Sequence, residues 1–357
     1  MDFFIKGTEP DPEAMRASPQ YADEHFKNTH QRPTIKKNSK FKFLKAILFN
    51  RQQPVKPKKG QIPVEPITSS QLAALKPDQT VFYRLGHSSL LIWLNGKFWL
   101  TDPIFSQRAS PFQWLGPKRF HPPPLSMEEL PQIEGIIISH NHYDHLDEAS
   151  IKALNIKTQH FLVPLGLKAQ LVAWGVAAAK ITELDWWQSI QLGDVRFTAT
   201  PAQHFSGRGL SDKNKSLWVS WAIQGNRSLF FSGDTGYFDG FKTIGDKLGP
   251  FDVSFIETGA YNKLWEQVHM RPAQSVQAHK DVRGKVMVPI HNATFDLALH
   301  SWYDPFVQVT AISDQAQTSA EPLYWLSPKI GEPVSVLAKP QNYSSSQWWQ
   351  EFVQDKR

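Results

Sequence analysis

The chain has 357 residues and no cysteine. This absence excludes disulfide bonds, thiolate catalysis and cysteine-ligated metal sites, and it agrees with a reducing compartment. Long hydrophobic runs are missing as well: no stretch of eighteen apolar residues occurs, so a membrane-spanning helix is not expected. The first residues also lack the charged and then apolar order of a secretory signal. We therefore expect a cytoplasmic protein that reaches a membrane only peripherally.

Acidic residues are scarce in one part of the chain. From His25 to Gly60 there are eleven lysines and arginines and no aspartate or glutamate. Residues 1–60 hold 13 basic and 6 acidic side chains, whereas residues 61–357 hold 26 and 27, so the excess positive charge belongs to the N-terminal arm. Apolar residues alternate with lysines at 41–49. Residues 25–60 could therefore bind an anionic membrane surface, pack on the rest of the chain, or attract nucleic acid.

Length and composition fit one αβ domain that follows an N-terminal extension. With 41% apolar residues the chain can bury a sizeable core, and four prolines between residues 52 and 68 indicate a linker. We therefore predict an extension over residues 1–68, with a poorly anchored beginning at 1–24, and a globular domain over 69–357. Nothing in the sequence specifies an oligomeric state.

The globular part begins with strand patterns at 80–85, 90–94 and 97–101. An Asn-Gly pair separates the last two, and both of its positions tolerate positive φ, which predicts a hairpin. Further along the chain, strand and helix patterns alternate, which is typical of αβ layering. Mixed sheets covered by helices would satisfy both patterns. Residues 110–124 are rich in proline and aromatic side chains and predict an irregular loop, which either lines a substrate groove or covers the sheet.

Residues 139–147, with the sequence SHNHYDHLD, follow a short β-branched strand at 136–138. In an extended backbone side chains alternate, so His140 and His142 point the same way and can bind one ion. Asp144 and His145, in the turn that follows, face a second position. Imidazole and carboxylate donors suit Zn²⁺ best, and Mn²⁺ or Fe²⁺ also accept them. The stretch therefore predicts a centre for two divalent metal ions.

Three other predicted strands end at a potential metal ligand. His204 follows the strand at 195–200, Asp234 follows the strand at 228–232, and His291 follows the strand at 286–290. Strands of an open αβ sheet that end in polar residues build a pocket at one edge of the sheet. These three side chains are therefore candidates for the same centre.

The stretch His140-Asn141-His142-Tyr143-Asp144-His145 resembles the HxHxDH signature of the metallo-β-lactamase superfamily. Within that superfamily the chain is similar to the branch of N-acylphosphatidylethanolamine-hydrolysing phospholipase D and its bacterial relatives. The resemblance covers most of the chain and implies an α/β fold, the αββα sandwich of two mixed sheets flanked by helices. Its other motifs, in order, are GHSS at 86–89, TDP at 101–103, PAQH at 201–204, SGDTGY at 232–237, HMRP at 269–272 and PIH at 289–291.

The resemblance also implies a role for each motif residue. The first metal would be held by His140, His142 and His204, the second by Asp144, His145 and His291, and Asp234 would bridge them. Asp144 and Asp234 would also take part in catalysis, and His269 would act on the substrate. The remaining candidates support the ligands or contact the substrate: Asp102 and His87 for support, and Tyr237, Tyr261 and Asn292 for contact.

The implied reaction is hydrolysis of an N-acylphosphatidylethanolamine-type phospholipid. A hydroxide that bridges the metals would attack phosphorus and give phosphatidic acid and N-acylethanolamine. One alternative is a soluble lactonase or another phosphodiesterase of the same superfamily, because one fold supports many reactions. Another is a nucleic-acid-binding protein with a structural metal centre, although a closed structural site has no use for a bridging aspartate.

Overall fold

The computed structural model of the protein describes residues 12–30, 56–262, 265, 267–316, 322–343 and 346–353. The strands, in chain order, are β1 Tyr21–Ala22, β2 His25–Phe26, β3 Val81–Gly86, β4 Ser89–Leu94, β5 Lys97–Thr101, β6 Ile133–Ile137, β7 Thr158–Pro164, β8 Ile181–Leu184, β9 Ser189–Leu192, β10 Val195–Thr200, β11 Ser220–Gln224, β12 Ser228–Phe231, β13 Phe251–Glu257, β14 Gly284–Ile290 and β15 Pro333–Ser335. The α-helices are α1 Pro12–Ala17, α2 Ser69–Ala73, α3 Glu148–Leu154, α4 Lys168–Ala173, α5 Gly240–Leu248, α6 Pro272–Asp281 and α7 Asp304–Ala316.

Two large mixed sheets face each other. One has seven strands in the order β15-β3-β4-β5-β6-β7-β8, and the other has six in the order β14-β13-β12-β11-β10-β9. Apolar side chains of both sheets, such as Phe82 and Phe255, meet between them. On the outer faces, α3 and α4 pack on the seven-stranded sheet, and α5, α6 and α7 pack on the six-stranded sheet. This architecture confirms the predicted αββα sandwich.

The direction of the strands places the site. β5, β6, β7 and β8 are mutually parallel, and so are β12, β13 and β14. β3 is antiparallel to β4, which is antiparallel to β5, so β3 runs in the same direction as β5. In the same way β10 runs in the same direction as β12, because both are antiparallel to β11. Their carboxyl ends therefore meet at one edge of the sandwich, where loops can gather functional side chains.

Local sequence chemistry explains two turns at the strand ends. Asn95 and Gly96 both have positive φ, of 51° and 71°, and they join β4 to β5 as the predicted hairpin. Gly233 ends β12 with a φ of 55°, and a Cβ on it would lie 2.5 Å from the Cβ of Ser139. Glycine is required here because the chain turns against Ser139 immediately before Asp234.

Residues 12–24 of the arm are anchored, which differs from the prediction of a poorly anchored lead-in over 1–24, of which residues 1–11 lie outside the described residues. Residues 12–30 form α1 and the β1–β2 hairpin, and Phe26 is fully buried in the core between the sheets. Burying one such side chain stabilises a fold by about 2–3 kcal/mol, which is enough to hold a short segment in place. The apolar and lysine residues at 41–49 lie outside the described residues, and the division of the chain at residue 68 stays a prediction.

Residues 110–124 contain no helix or strand, as predicted. None of the helices in the described part of the chain combines the length and apolar character that crossing a bilayer requires.

Candidate metal centre

The carboxyl-end edge of the sandwich brings together all seven predicted ligands. β6 leads to the loop at 140–145, β10 leads to His204, β12 leads to Asp234 and β14 leads to His291. Their donor atoms form groups in which all atoms lie within 4.8 Å of one another. Residues that are 151 positions apart in sequence therefore meet at one point, as the strand-end pattern predicted.

One group consists of three imidazoles. His142 Nδ1 lies 2.8 Å from His140 Nε2 and 3.2 Å from His204 Nε2. Asp234 Oδ2 lies 3.9 Å from His140 Nε2 and 3.8 Å from His204 Nε2. Three nitrogens and one carboxylate oxygen surround a single point, which is the donor number of a tetrahedral zinc site.

The second group contains Asp144, His145 and His291. Asp144 Oδ2 lies 3.2 Å from His291 Nε2 and 3.6 Å from His145 Nε2. Asp234 faces this group too, because its Oδ1 is 3.1 Å from His145 Nε2 and its Oδ2 is 3.1 Å from His291 Nε2. Asp234 therefore lies between the two groups, where a bridging carboxylate would have to be.

Two buried atoms show that the residues fit metal ions. His145 Nε2 and Asp234 Oδ1 are inaccessible to water, and although they lie 3.1 Å apart, neither makes a hydrogen bond. Leaving such groups unpaired costs about 1–3 kcal/mol each, so native proteins rarely do it. A cation between the imidazole nitrogen and the carboxylate oxygen would satisfy both atoms. The donor set, which has no thiolate, agrees with zinc, manganese or iron.

Asp102 supports the loop at residues 139–147, which we call the metal-binding loop because it carries four predicted ligands. Its Oδ2 accepts from Ser139 Oγ at 2.6 Å and lies 2.7 Å from His145 Nδ1, while its Oδ1 accepts the backbone N–H of Ser139. Ser139 Oγ is in turn 2.9 Å from His140 Nδ1. A ligating imidazole needs a partner on its other nitrogen to fix its tautomer, and here one carboxylate serves two histidines.

His87 lies closer to the centre than its sequence context suggested. With φ at 55°, it turns its Nε2 to within 2.9 Å of Asp144 Oδ2, and its ring lies 4.0 Å from the ring of His291. Thr294 Oγ1 accepts its backbone N–H at 2.6 Å. His87 therefore supports the orientation of Asp144, and its donor atom is near enough to join the second group.

Glu257 is a functional candidate that sequence reasoning missed. It ends β13, its side chain is fully buried, and its Oε1 lies 2.6 Å from His269 Nδ1. His269 Nδ1 is 4.0 Å from Asp234 Oδ2, so His269 borders the centre without belonging to either group of predicted ligands. Burial raises the pKa of Glu257, and the attraction of His269 partly offsets this. The available signal was its place at the end of a strand beside the other ligand-bearing strands.

Burial and charge act in opposite directions on the pKa values of the centre. Burial lowers the pKa of His142 to about 4. At His291 burial also favours the neutral ring, but Asp234 and Asp144 outweigh it and raise the pKa to about 10. The pKa of His145 is raised well above its ordinary value for the same reason, and that of Asp234 is held well below its own despite burial, chiefly by His145. The carboxylates therefore stay charged, and a metal ion that bound here would have to displace protons from the imidazoles beside them.

The N-terminal segment contributes a contact that no motif predicted. Asn28 Nδ2 donates to the carbonyl of His204 at 2.8 Å, and its Oδ1 accepts the backbone N–H of His204 at 3.0 Å. The same Oδ1 accepts from Trp218 Nε1 at 2.9 Å. Asn28 thus fixes the backbone of one predicted ligand from 176 residues away.

Arg208 fastens the metal-binding loop on its outer side. Its Nη1 donates to the carbonyls of Asn141 and Leu146 at 2.8 and 2.6 Å, and its guanidinium lies 3.8 Å from the centre of the Tyr143 ring. Both carbonyls belong to the loop that carries four predicted ligands. Both bonds come from Nη1 while the planar guanidinium stacks on the ring, which the ammonium group of a lysine could not do.

The three predicted substrate contacts are bonded elsewhere. Tyr237 donates to Asp281 Oδ2 at 2.7 Å, and Tyr261 donates to Asp304. Asn292 is buried, accepts from Arg84 Nη2 at 2.9 Å and donates to the carbonyl of Ile290. Among the described residues, no hydrogen bond joins any of the three to the seven predicted ligands. Their substrate role stays a prediction.

Fold and site together define a class of protein: an αββα sandwich that carries a centre of histidines and aspartates at one sheet edge. The chain belongs to the beta-lactamase superfamily, because the family model of the beta-lactamase superfamily domain matches residues 99–292, more than half of the chain. Its fold is the metallo-β-lactamase fold.

Known proteins resemble the chain in sequence and in fold. A protein of Mycobacterium tuberculosis is 45% identical over 244 residues, which are 67% of this chain and 65% of that protein. N-acyl-phosphatidylethanolamine-hydrolyzing phospholipase D 1 of Caenorhabditis elegans is 42% identical over 232 residues, 61% of this chain and 65% of that protein. The chain thus spans 65% of the length of these relatives. A metallo hydrolase of Ignicoccus hospitalis shares the fold, with a TM-score of 0.53 at 18% identity over 73% of this chain and 100% of that one.

Proposed function

We propose that the chain is a binuclear metal-dependent phosphodiesterase of the phospholipase D type. Its substrates would be N-acylphosphatidylethanolamine-type phospholipids, and its products phosphatidic acid and N-acylethanolamine. The observation that carries this proposal is Asp234, whose carboxylate lies between two imidazole groups and faces both within 4 Å. The likeness to the C. elegans enzyme supports the choice of a phospholipid over other esters.

In this proposal His140, His142 and His204 would hold one ion, Asp144, His145 and His291 would hold the other, and Asp234 would serve both. Zn²⁺ is the expected metal because all donors are imidazole nitrogens and carboxylate oxygens. Two such ions would supply Lewis-acid stabilisation of the phosphoryl oxygens and lower the pKa of a water molecule toward neutrality.

The residues of the chain would control the proton transfers. The carboxylate of Asp234 would orient the attacking water by accepting a hydrogen bond from it. His269 is held at Nδ1 by Glu257, which leaves Nε2 free to donate a proton to the departing alkoxide of N-acylethanolamine. Water would then add to phosphorus while the bond from phosphorus to the ethanolamine oxygen breaks, and the proton that the water loses would replace the one that His269 gave to the alkoxide. Asp102 keeps His145 in one tautomer throughout, because its carboxylate accepts from the other ring nitrogen.

A hydrolysis screen with metal analysis tests this function. The purified chain would be assayed on N-acylphosphatidylethanolamine, bis(p-nitrophenyl) phosphate and an acyl lactone, and its metal content would be measured in parallel. We expect about two metal equivalents per chain and preferred release of N-acylethanolamine from the phospholipid. Preferred turnover of the lactone would favour the lactonase alternative. A stable protein with metal but no turnover of any ester would favour a structural centre.

The phospholipid would be met at an anionic membrane surface. Residues 25–60 carry eleven basic side chains and no acidic ones, which suits them to anionic headgroups. Of these, residues 31–55 lie outside the described residues. Removal of residues 1–60 also removes Asn28 and Phe26, so the arm is better tested by neutralising lysines at 36–45. That change should weaken vesicle binding in a salt-dependent way.

A further inference from the structure

Apolar side chains are exposed at the edge of the sandwich that carries the metal centre. Among the described residues six large apolar side chains are exposed, and four of them lie on two loops, after β5 and after β10. Trp114 is 75% exposed and Leu210 is fully exposed. We call these four residues the apolar rim: Phe112, Trp114, Leu115 and Leu210.

Both loops border the metal-binding loop. The loop after β5 is bonded to it through Ser106, whose N–H and hydroxyl both donate to Asp147. The loop after β10 is bonded to it through Arg208, which donates to the carbonyl of Leu146. Leu146 and Asp147 directly follow His145, so the two loops that carry the apolar rim adjoin the predicted site. Ala109 also packs with Phe295, whose ring touches that of His87.

The tip of the first loop is held in an outward position. Arg108 crosses beneath it and donates to the carbonyls of Gln113 and Gly116, while the N–H of Ala109 donates to the carbonyl of Pro117 at 3.1 Å. The Phe112 and Trp114 rings lie 5.5 Å apart and remain in solvent. Fixing apolar side chains in water is unfavourable, so such a surface marks a place where another molecule binds.

The charge of the two loops indicates what that molecule is. Residues 104–120 contain no acidic residue, and two of their basic residues, Arg108 and Lys118, reach the surface, whereas Arg119 is buried. Residues 205–216 contain three basic residues and one acid, Asp212, which is buried and accepts the backbone N–H of Arg208. Basic residues beside exposed tryptophan, phenylalanine and leucine are typical of surfaces that enter an anionic bilayer interface. A second copy of the same surface would bring like charges together, which disfavours a symmetric dimer here.

We propose that the apolar rim inserts into the headgroup region of an anionic bilayer and thereby presents the metal centre to the membrane. This inference rests on the proposed function for its purpose, since the substrate would be a lipid of that bilayer. Binding itself depends only on the rim. It is also independent of the lysines at 36–45, because none of the rim residues belongs to the arm.

Vesicle binding by the full-length chain tests the proposal. The triple variant Phe112→Ser, Trp114→Ser and Leu115→Ser would be compared with the wild type by co-sedimentation with phosphatidylcholine vesicles containing about 30% phosphatidylglycerol. The matched control is Ile156→Ser, because Ile156 is equally apolar and 86% exposed but precedes β7, at the opposite edge of the sheet. We expect the partition coefficient of the triple variant to fall about tenfold or more, and that of the control to stay unchanged.

Activity on bis(p-nitrophenyl) phosphate, a soluble substrate, and metal content would be measured in the same proteins. Both should remain at wild-type values in the triple variant, which shows that the fold and the centre are intact. Equal vesicle binding by wild type and triple variant would overturn the proposal, and so would an equal loss in Ile156→Ser. If the wild type and Ile156→Ser were dimers and the triple variant a monomer, with vesicle binding unchanged, the apolar rim would serve self-association instead. Failure to hydrolyse N-acylphosphatidylethanolamine would refute the proposed function and leave the vesicle result standing.

Discussion

Asp144 gives the second ligand group most of its negative charge. Its Oδ2 lies 2.9 Å from His87 and 3.2 Å from His291, and only a small part of the side chain reaches solvent. Asp144→Asn keeps the shape but removes the charge that would balance a divalent ion. We expect the loss of one of two metal equivalents and a drop in turnover of about a hundredfold. Metal analysis and phosphodiester turnover measure both.

The control for this change is Asp252→Asn. Asp252 is bonded to Lys285 at the beginning of β13, the end of the strand that lies away from the centre. It should keep full metal content and turnover. If Asp144→Asn behaves like Asp252→Asn, Asp144 is not a ligand.

Glu257 and His269 should act as one unit. Replacing Glu257 by Gln removes the charge that holds the Nδ1 proton of His269, so we expect turnover to fall about tenfold to a hundredfold with metal content unchanged. His269→Ala should lower turnover further, again without loss of metal. In the His269→Ala background, Glu257→Gln should have little added effect, which a double-mutant cycle measures. Additive losses would show that Glu257 acts on something other than His269.

How far the site could be predicted depends on how local its signals are. His140, His142, Asp144 and His145 lie in one short stretch after a strand, and spacing alone indicated a two-metal layout. Glu257 could not be assigned in the same way, because a single carboxylate at a strand end has many uses and only the neighbouring strand β14 brings it beside the centre. Asn28 gave no signal at all, since its partner is 176 residues away.

At the scale of elements, the loop between β6 and α3 depends on Arg208. Arg208→Ala would leave the carbonyls of Asn141 and Leu146 without their donor, and it would also remove the stacking on Tyr143. We expect a loss of about 2 kcal/mol in unfolding free energy and weaker metal binding. Arg208→Lys should recover only part of either, because an ammonium cannot bond both carbonyls and stack at once. Urea denaturation and metal titration measure the two effects, and full recovery by lysine would show that charge alone matters.

The β1–β2 hairpin should matter to the centre through Asn28. Asn28→Ala removes the donor and the acceptor that hold the backbone of His204, so we expect about 1–2 kcal/mol lower stability and weaker binding of the first metal. Lys27→Ala, one residue before Asn28, is the matched control, since it breaks only an exposed ion pair between Lys27 and Asp23. Calorimetry of metal binding compares the variants. Identical affinities would confine the hairpin to a packing role.

Elements with strong local patterns were predicted, and those set by packing were not. Asn95-Gly96 fixes a hairpin because of its own backbone preferences, and α6 begins at Pro272, whose fixed φ suits the first turn of a helix. The α1 and β1–β2 segment has no sustained period and is ordered instead by Phe26 in the core between the sheets. Antiparallel hairpins combined with αβ alternation indicated mixed sheets covered by helices, and the family resemblance implied the αββα sandwich. The placement of the arm depended on contacts that a sequence does not show.

At the scale of the whole molecule, the centre links metal binding, pH and stability. In the metal-free chain, Asp234 and Asp144 outweigh burial and raise the pKa of His291 to about 10, against 6.5 for an ordinary histidine. A group whose pKa is higher in the folded than in the unfolded chain adds stability. This stability is fully present when the pH is below the pKa of the unfolded chain, and it is lost as the pH rises through the pKa of the folded chain. The pKa of Asp234 is lowered, so its contribution is present above the ordinary carboxyl value and is lost only in acid.

Below pH 6.5 the lowered pKa of His142 acts in the opposite direction, so the chelated protein should be most stable near pH 6.5 and lose stability as pH rises toward 9. Metal-loaded protein should not follow it, because ions take the place of the protons on the imidazoles and bind more tightly as fewer protons compete. We expect the difference in melting temperature between zinc-loaded and chelated protein to widen from pH 6.5 to pH 9, by several degrees or more. Thermal melts in both states at four pH values measure it. If the difference in melting temperature stayed constant with pH, His291 would give up no proton when metal binds. The assignment of a metal to Asp144, His145 and His291 would then be wrong.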